Sequence, residues 1–458
     1  MRAAAALLAL LGLAACATSP ATDVAERRAQ PDLALPPMKV FSEPTVVRPT
    51  RSNAALARDI LDLTFELESG RPLPVLTRFE GPITIRVTGR SPTFLDRDLN
   101  RLISRIRREA RIDVSRVPAS QPAGITIEVV TRAELSRAVP QAACFVVPRV
   151  ASWDEFRRSR RSAKLDWTTL TTRETMAIFI PGDVAPQEVR DCLHEEVAQA
   201  IGPLNDLYRL PDSVFNDDNF HTVLTGFDTL VLRVLYDDAL SSGMTRAQVA
   251  ERLPGILARV NPRGVRGGDG PVPETGRDWI NAIEAALGPR TPPERRRGAA
   301  TAAVQIAQSE GWTDNRLAFS LYAYGRLSIG TDPERALAAF LQSAALFQAE
   351  ETTQLQAAHV AMQLAAFALS AGQGDVALEI VNDNLRAVAE AENAALLATL
   401  LMVKAEALDL VGRSAEAREV RRDSLGWARY GFGAEAEVRA RAAEIAGLTP
   451  TLVIVSAR

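Results

Sequence analysis

Two kinds of residue pattern divide this 458-residue chain, and that division constrains the fold more than any other feature of the sequence. Up to about residue 245, segments with strand-like alternation are interleaved with segments of helical spacing. From about residue 298, strand-like alternation stops, alanine becomes frequent, and helical segments follow one another. A chain of this length suits two or three domains. The sequence therefore predicts a domain of strands and helices, followed by an all-α domain.

The first region contains four predicted strands and three predicted helices. The strands cover residues 82–87, 125–130, 145–147 and 177–180, and the helices cover 53–69, 96–109 and 186–201. Ser52 or Asn53 is expected to cap the first helix, and Gly70 is expected to end it. Pro186 suits the first position of the third helix, where its missing N–H costs nothing. This order indicates an α/β or α+β domain.

The first sixteen residues have the features of a secretory signal. A short basic start precedes a small, apolar run over residues 3–15, which is too short to span a bilayer as a mature helix. The run ends in Leu13-Ala14-Ala15-Cys16, which resembles the lipobox of bacterial lipoproteins. The resemblance implies cleavage before Cys16 and lipidation of its thiol, which anchors the protein to a membrane. A plain secretory signal with an incidental cysteine is the alternative.

This signal leads us to expect a protein of the bacterial cell envelope that faces the periplasm. Ala17 is not the aspartate that commonly retains lipoproteins in the inner membrane, which favours the outer membrane. Cys144 and Cys192 are then expected to form one disulfide in an oxidising compartment, and two buried, unpaired cysteines are the alternative.

The all-α region has a recurring pattern of helix, short glycine-containing turn and helix. The turns fall at residues 330–332, 372–375 and 412–414, and Ala336, Ala377 and Ala417 follow them. Small residues at such positions let paired helices approach closely, and the pattern is similar to tetratricopeptide-type (TPR) repeats with a longer period. The resemblance implies a short solenoid whose concave face binds protein partners. His359 is expected to be a packing or surface residue.

The segment with the most chemical information is E-E-V-A-Q-A-I-G-P-L-N-D at residues 195–206. As an HExxH motif beginning at His194 it fails, because the second ligand position is Ala198, which has no donor atom. Shifted by one residue, it resembles the H-E-x-x-H-x-x-G-x-x-H motif of metzincin metallopeptidases with substituted ligands. Glu195, Gln199 and Asn205 then stand at the three histidine positions.

Two further residues of this segment match the motif. Glu196 stands at the position of the general base, and Gly202 at the glycine that ends the helix. Positions i and i+4 share one helix face, and a glycine permits a turn with φ > 0 that returns the third ligand to that face.

The resemblance continues downstream in the same order. Phe215, within Ser-Val-Phe-Asn at 213–216, stands where metzincins have the methionine of their turn below the metal. Asp228 and Tyr236 match the capped final helix of matrixin-type domains, with Thr225 as its N-cap. Residues 195–206, including Asp206, and 213–218 also resemble the hallmark of bacterial domain of unknown function 2927.

These resemblances imply an α+β, metzincin-like (zincin) domain with a mixed sheet and an active-site-type helix. One carboxylate and two amides do not hold Zn²⁺ as three imidazoles do, so zinc-dependent activity is not expected. The preferred hypothesis is a pseudoenzyme that binds peptides or protein partners and needs no cofactor. One alternative is a hard-metal site formed by the carboxylates of the segment. Another is a metal-dependent periplasmic peptidase that uses Glu196 and unusual ligands.

The two alternatives draw on additional residues. The hard-metal site would combine Glu195, Glu196, Asn205 and Asp206 with Asp217 or Asp218, although a solvated turn is the simpler interpretation of residues 217–218. The peptidase would recruit His194 or His221. His194, however, points about 100° around the helix from Glu195.

The predicted domain boundaries follow from these patterns. They are a signal peptide at 1–15, a flexible tether at 16–50, the metzincin-like domain at 51–245, a helical and loop linker at 246–297, the repeat domain at 298–448 and a tail at 449–458. A net charge of −3 gives no electrostatic reason to bind nucleic acid. No glycine-rich phosphate loop follows a predicted strand, which argues against a nucleotide site.

Overall fold

A five-stranded mixed sheet forms the centre of the first region. Its strands are β1 (Ile83–Gly89), β2 (Val114–Arg116), β3 (Ile125–Val130), β4 (Phe145–Pro148) and β5 (Met176–Pro181). Their order in the sheet is β2-β1-β3-β5-β4. Neighbouring strands are parallel except for β4, which runs antiparallel to β5 at one edge and places Phe145 opposite Phe179. The predicted α+β class and mixed sheet are confirmed.

Seven helices accompany the sheet in this computed structural model, which describes residues 35–42, 46–266, 273–288 and 291–450. They are α1 (Asn53–Thr64), α2 (Leu95–Arg105), α3 (Arg132–Ala138), α4 (Trp153–Ser159), α5 (Pro186–Ile201), α6 (Gly226–Leu235) and α7 (Arg246–Val260). A π-helical turn, Ile106–Ala110, continues α2. Cys16, the predicted signal peptide and residues 451–458 lie outside the described residues, as does most of the predicted tether.

The long predicted elements correspond closely to the observed ones, apart from the end of α1, and three short elements were not predicted. The bounds of β3 and α5 are as predicted, and the Ser52 side chain caps α1 by accepting a hydrogen bond from the Ala55 N–H. The prediction that Gly70 ends α1 is wrong, because the helix ends at Thr64 and Gly70 lies in a following turn with φ of +76°. The short strand β2 and the short helices α3 and α4 were not predicted.

The helix α5 lies in the core of this region. Val189, Leu193 and Val197 on α5 are fully buried, and they belong to one apolar cluster with the inward-facing residues of β5. The cluster also includes Leu253 and Leu257 of α7, although that helix falls in the segment predicted as a linker. Since these side chains share one core, α7 packs as part of the sheet region.

The rest of the described chain is helical. Nine helices follow, α8 (Arg277–Leu287), α9 (Pro293–Ser309), α10 (Asn315–Ser328), α11 (Pro333–Gln348), α12 (Gln354–Ser370), α13 (Gly374–Glu390), α14 (Ala394–Leu410), α15 (Ser414–Gly431) and α16 (Glu435–Ala446). The predicted turns fall between α10 and α11, α12 and α13, and α14 and α15. Ala336, Ala377 and Ala417 are fully buried, as close packing of paired helices requires. The described helices include none with the length and apolarity to cross a membrane.

The helical region packs directly against the sheet region, and residues from Pro36 onward form one compact unit. Tyr430 donates its hydroxyl to the buried carboxylate of Asp98 at 2.8 Å, and the Asn315 side chain donates to the Tyr208 carbonyl at 2.6 Å. These buried hydrogen bonds join α10 and α15 of the helical region to a loop and a helix beside the sheet.

Candidate functional site

The carboxyl end of α5, which carries the motif residues, is held by one buried and one half-buried side chain. The Arg173 guanidinium, only 4% exposed, donates to the carbonyls of Gln199 and Gly202, both at 2.6 Å. Tyr236 donates its hydroxyl to the Ile201 carbonyl at 2.9 Å. A cation at this end of a helix satisfies carbonyls that have no partner within the helix and interacts favourably with the helix dipole. The position of α5 is therefore tightly fixed.

Gly202 follows α5, but not with the backbone geometry expected for it. Its φ is −132°, so the prediction of a turn with φ > 0 is wrong. A glycine is needed there for space: a Cβ would lie 2.9 Å from the Ala198 carbonyl oxygen and still closer to the Leu232 side chain.

The turn at residues 213–216 is anchored by one buried carboxylate. Asp228 accepts hydrogen bonds from the Ser213 hydroxyl at 2.6 Å and from the N–H groups of Val214 and Thr225 at 3.2 and 2.7 Å. Thr225 and Asp228 also form the capping box of α6, as the sequence indicated. Phe215 is fully buried within this turn.

The three histidines of the chain lie outside the groups of potential metal ligands found among the described residues. His194 is buried, and its Nδ1 accepts a hydrogen bond from the Leu224 N–H at 3.1 Å. Burial lowers the pKa of His221 to about 4. His359 packs against Phe220 with ring centroids 4.8 Å apart, so the prediction of a packing role is confirmed.

The three positions that resemble zinc ligands are not joined by hydrogen bonds in the described part of the chain. Glu195 and Gln199 lie one turn apart on α5, where spacing places them on the same face. Asn205 instead donates its side-chain N–H to the Asp62 carbonyl of α1 at 3.0 Å. Its neighbour Asp206 interacts electrostatically with Glu195, so a carboxylate rather than the amide joins Glu195.

Five carboxylates gather at this place, and we call Glu68, Glu195, Glu196, Asp206 and Asp217 the acidic cluster. Carboxylate oxygens of Glu68, Asp206 and Asp217 all lie within 4.8 Å of one another. Glu195 and Glu196 form a second close group, which also includes the Cys144 sulfur. The cluster runs inward from the exposed Glu68, through three half-buried carboxylates, to Glu196, which is 3% exposed.

Burial and mutual repulsion dominate the electrostatics of the acidic cluster. Burial, assisted by the charge of Glu68 among others, raises the pKa of both Glu195 and Asp217 to about 7. The same causes raise the pKa of Glu196 and of Asp206 well above the usual range of a carboxyl. Without a positive partner, these groups can relieve the repulsion only by retaining protons.

The sulfur beside Glu195 and Glu196 belongs to a disulfide. Cys144, at the start of β4, is bonded to Cys192 on α5. The predicted pairing is confirmed, and it ties the edge of the sheet to the helix that carries the motif.

Sequence reasoning identified four members of the acidic cluster and missed the fifth. Glu195, Glu196, Asp206 and Asp217 were named in the hard-metal alternative, but Glu68 follows α1, far from the motif in sequence. Asp218, named with them, accepts hydrogen bonds from the Phe220 N–H and the Asn216 side chain. No pattern in the sequence links Glu68 to this place.

Residues 53–255 match the family described as "Protein of unknown function (DUF2927)". The matched range begins at α1 and ends within α7, so it includes the whole sheet and the acidic cluster. The predicted resemblance to this family is confirmed for that part of the chain. No curated protein and no solved structure matches the chain.

Proposed function

We propose that this chain is a non-catalytic binding protein of the bacterial envelope, built on a metallopeptidase-like domain without zinc ligands. The proposal rests on the hydrogen bonds that the motif side chains already make. The Asn205 amide is bonded to the backbone of α1, and the Nδ1 of His194 is bonded to the Leu224 N–H. Because Nδ1 of His194 accepts this bond, its neutral ring carries the proton on Nε2 and has no lone pair left for a metal, and the N–H of Asn205 holds that amide at α1.

The chemistry of the remaining donors supports the same conclusion. Zinc peptidases lower the pKa of a bound water to near 7 with a metal held by three strong ligands. One carboxylate and one amide on α5, Glu195 and Gln199, do not form such a site. Glu196 then lacks an activated water on which to act as a base.

Several features support a zincin-like origin of the sheet region. A mixed sheet lies against α5, a buried turn containing Phe215 follows that helix, and α6 begins with a capping box. Tyr236 at the end of α6 reaches back to the last turn of α5. These are the parts, in the same chain order, that the sequence resemblance implies.

The helical region supports a role in binding. Its paired helices and buried alanines agree with a tetratricopeptide-like arrangement, and such arrays generally present an extended surface to a protein or peptide. The lipobox-like residues ending in Cys16 support attachment to the outer membrane, facing the periplasm. We therefore propose peptide or protein partners within the envelope.

A metal-dependent periplasmic peptidase is the competing function, and one experiment separates the two. The purified full chain is mixed with a fluorescent library of random decapeptides, and binding and cleavage are followed with and without added Zn²⁺. We expect binding without cleavage, and no effect of Glu196→Gln on either readout. Cleavage that a chelator removes and Zn²⁺ restores, and that Glu196→Gln abolishes, would overturn the proposal, and so would a complete lack of binding.

A gain-of-ligand variant tests the zincin-like origin separately. The triple substitution Glu195→His, Gln199→His and Asn205→His restores the imidazoles at the positions that the resemblance assigns. Asn205→His also removes the bond to the Asp62 carbonyl, which frees the side chain at 205 to turn toward the other two. We expect the triple variant to bind one equivalent of Zn²⁺, measured by elemental analysis after gel filtration, and the unmodified chain to retain none. If the triple variant also retains none, the positions do not converge as in a zincin.

Attachment to the membrane through Cys16 is tested in cells. Growth with a clickable fatty-acid analogue is expected to label the protein, and Cys16→Ser is expected to abolish the label and release the protein from the membrane fraction. Equal labelling of the Cys16→Ser variant would exclude lipidation at this residue.

A further inference from the structure

Three separate segments of the chain contribute the outer part of the acidic cluster. Glu68 follows α1, Asp206 follows α5, and Asp217 lies between the buried turn and α6. Their carboxylate oxygens nevertheless lie within 4.8 Å of one another. Bringing three like charges this close is unfavourable unless protons or a cation neutralise them.

The charges that act on the cluster are themselves negative. Glu196 is influenced by Glu195 and Glu68, and Asp206 by Asp217, Glu68 and Glu195. Three arginines lie nearby: Arg209 pairs with Asp59 and Asp62 of α1, and Arg246 pairs with Asp62 as well. Arg277 donates to the backbone carbonyl of Glu68 at 2.9 Å and forms no ion pair with its carboxylate among the described residues. No basic side chain thus takes the place of a counter-ion among the groups that influence these carboxyls.

Two buried oxygen atoms in the cluster have no hydrogen-bond partner among the described residues. They are Oε2 of Glu196 and Oδ1 of Asp206. Glu196 is 3% exposed, its carboxylate lies within 4.8 Å of that of Glu195, and the charge of Glu68 acts on it. A buried polar atom without a partner costs about 1–3 kcal/mol. An unpartnered carboxylate oxygen at the inner end of a carboxylate cluster therefore points to a missing positive ligand.

We propose that the acidic cluster binds one Ca²⁺ ion, held by Glu68, Asp206 and Asp217, with Glu195 and Glu196 as further negative charges on its inner side. The donors are all carboxylate oxygens, which hard cations prefer. The sulfur of Cys144 is bonded to Cys192 and is no thiolate ligand, so the site lacks the soft donors that favour Zn²⁺. Carboxylates from separate segments suit Ca²⁺, which accepts irregular coordination, better than Mg²⁺, which demands near-ideal octahedral geometry.

This cation site differs from the zinc site of the sequence resemblance. It uses Glu68 and Asp217, which lie outside the motif, and it leaves Gln199 and Asn205 unused. Calcium binding is therefore independent of whether the chain binds peptides, and the two proposals can fail separately.

Terbium luminescence provides a direct test. Tyr208 is influenced by the charges of Asp217 and Asp206, and its ring lies 5.1 Å from that of Trp279, so both rings can sensitise Tb³⁺ at the cluster. In the purified full chain, we expect sensitised Tb³⁺ emission that Ca²⁺ displaces more effectively than Mg²⁺ or Zn²⁺. Absence of emission, or displacement mainly by Zn²⁺, would overturn the proposal.

Matched variants assign the signal to these residues. Glu68 is exposed, so Glu68→Gln is expected to leave the fold intact while weakening Ca²⁺ affinity more than about tenfold, since even outer-shell partners typically contribute that much. Asp217→Asn should act in the same way, and Glu416→Gln, at an exposed carboxylate of α15, should leave affinity unchanged. At one Ca²⁺ concentration, Ca²⁺ should also raise the melting temperature of the unmodified chain more than that of Glu68→Gln. Equal affinities in all these proteins would overturn the assignment.

Discussion

The Arg190 guanidinium on α5 donates a hydrogen bond to the backbone carbonyl of Glu392, over 2.8 Å. Arg190 is 2% exposed, and Glu392 lies between α13 and α14 with a φ of +55°. Beside this bond, the Gln187 side chain accepts a hydrogen bond from the Ala395 N–H and donates one to Asn393. The helix that carries the motif is therefore bonded directly to the helical region, and we expect the two regions to unfold together.

Arg190→Gln should destabilise the whole chain. The substitution removes the donor to the Glu392 carbonyl and the positive partner of the Asp191 carboxylate, which lies 2.7 Å from the guanidinium, and breaking a buried ion pair typically costs about 3–5 kcal/mol. The loss is measured by denaturant unfolding followed by circular dichroism. Arg386→Gln, at an exposed ion pair of α13, is the control and should stay within about 0.5 kcal/mol of the unmodified chain. Equal stability of the two variants would contradict the role of Arg190.

Arg173→Met should loosen the end of α5. It leaves the carbonyls of Gln199 and Gly202 without their donors, and hydrogen bonds to charged groups contribute about 1.5–3 kcal/mol each. We expect faster hydrogen exchange in the last turn of α5, measured by mass spectrometry. Arg173→Lys should rescue only part of the protection, because an ammonium group does not present the planar fork of a guanidinium. Full rescue by lysine would show that charge alone fixes the helix.

Loss of the disulfide should lower stability substantially. The bridge closes a separation of 48 residues. On the chain-entropy model, a loop of this size stabilises the fold by about 4 kcal/mol. Cys144→Ala with Cys192→Ala is expected to lose most of that free energy in denaturant unfolding and to become insensitive to reductant. If reductant destabilises the double variant as much as the unmodified chain, the effect does not arise from this bridge.

Acid should destabilise the chain partly through His359. Burial lowers the pKa of this histidine from 6.5 to about 3, so the unfolded chain takes up a proton as the pH falls below 6.5 while the folded chain does not. Stability is therefore lost between these two pH values. His359→Leu should be more stable than the unmodified chain by about 3 kcal/mol at pH 4.5, which lies two units below 6.5, since each tenfold change in proton affinity corresponds to about 1.4 kcal/mol. At pH 7 this gain should be absent.

The control for this pH dependence is Gln354→Leu, at an exposed position of the same helix. It should shift stability equally at both pH values, because glutamine does not titrate. Thermal unfolding at pH 7 and 4.5 gives the comparison. A gain from His359→Leu that is equal at the two pH values would show that removal of the polar ring, not its protonation, is responsible.

Local signals in the sequence were sufficient to predict an element where that element is long and has a strong residue pattern. The apolar run of β3, the first-position proline of α5 and the capping box of α6 each depend on neighbouring residues, and each was predicted. The strand β2 has three residues, too few for alternation to be recognised. Gly202 was recognised as special for the wrong reason, because its neighbour Leu232 comes from a helix distant in sequence.

The acidic cluster shows the same limit at the level of the site. Spacing along α5 predicted Glu195 and Gln199 on one face, but it could not show that Asn205 turns to α1. Nor could it show that Glu68 approaches Asp206 and Asp217, since that contact depends on how α1 packs. Tertiary packing therefore decided which donors meet.

The first described residues, 35–42, pack against helix α15 rather than against the sheet. The Lys39 N–H donates to the Gly426 carbonyl of α15 at 3.0 Å, and Phe41 stacks on Trp427. A side chain on Gly426 would press against Lys39, so the helix accommodates this contact by omitting one. Mechanical load applied to residues 35–42 would therefore reach α15 before any strand.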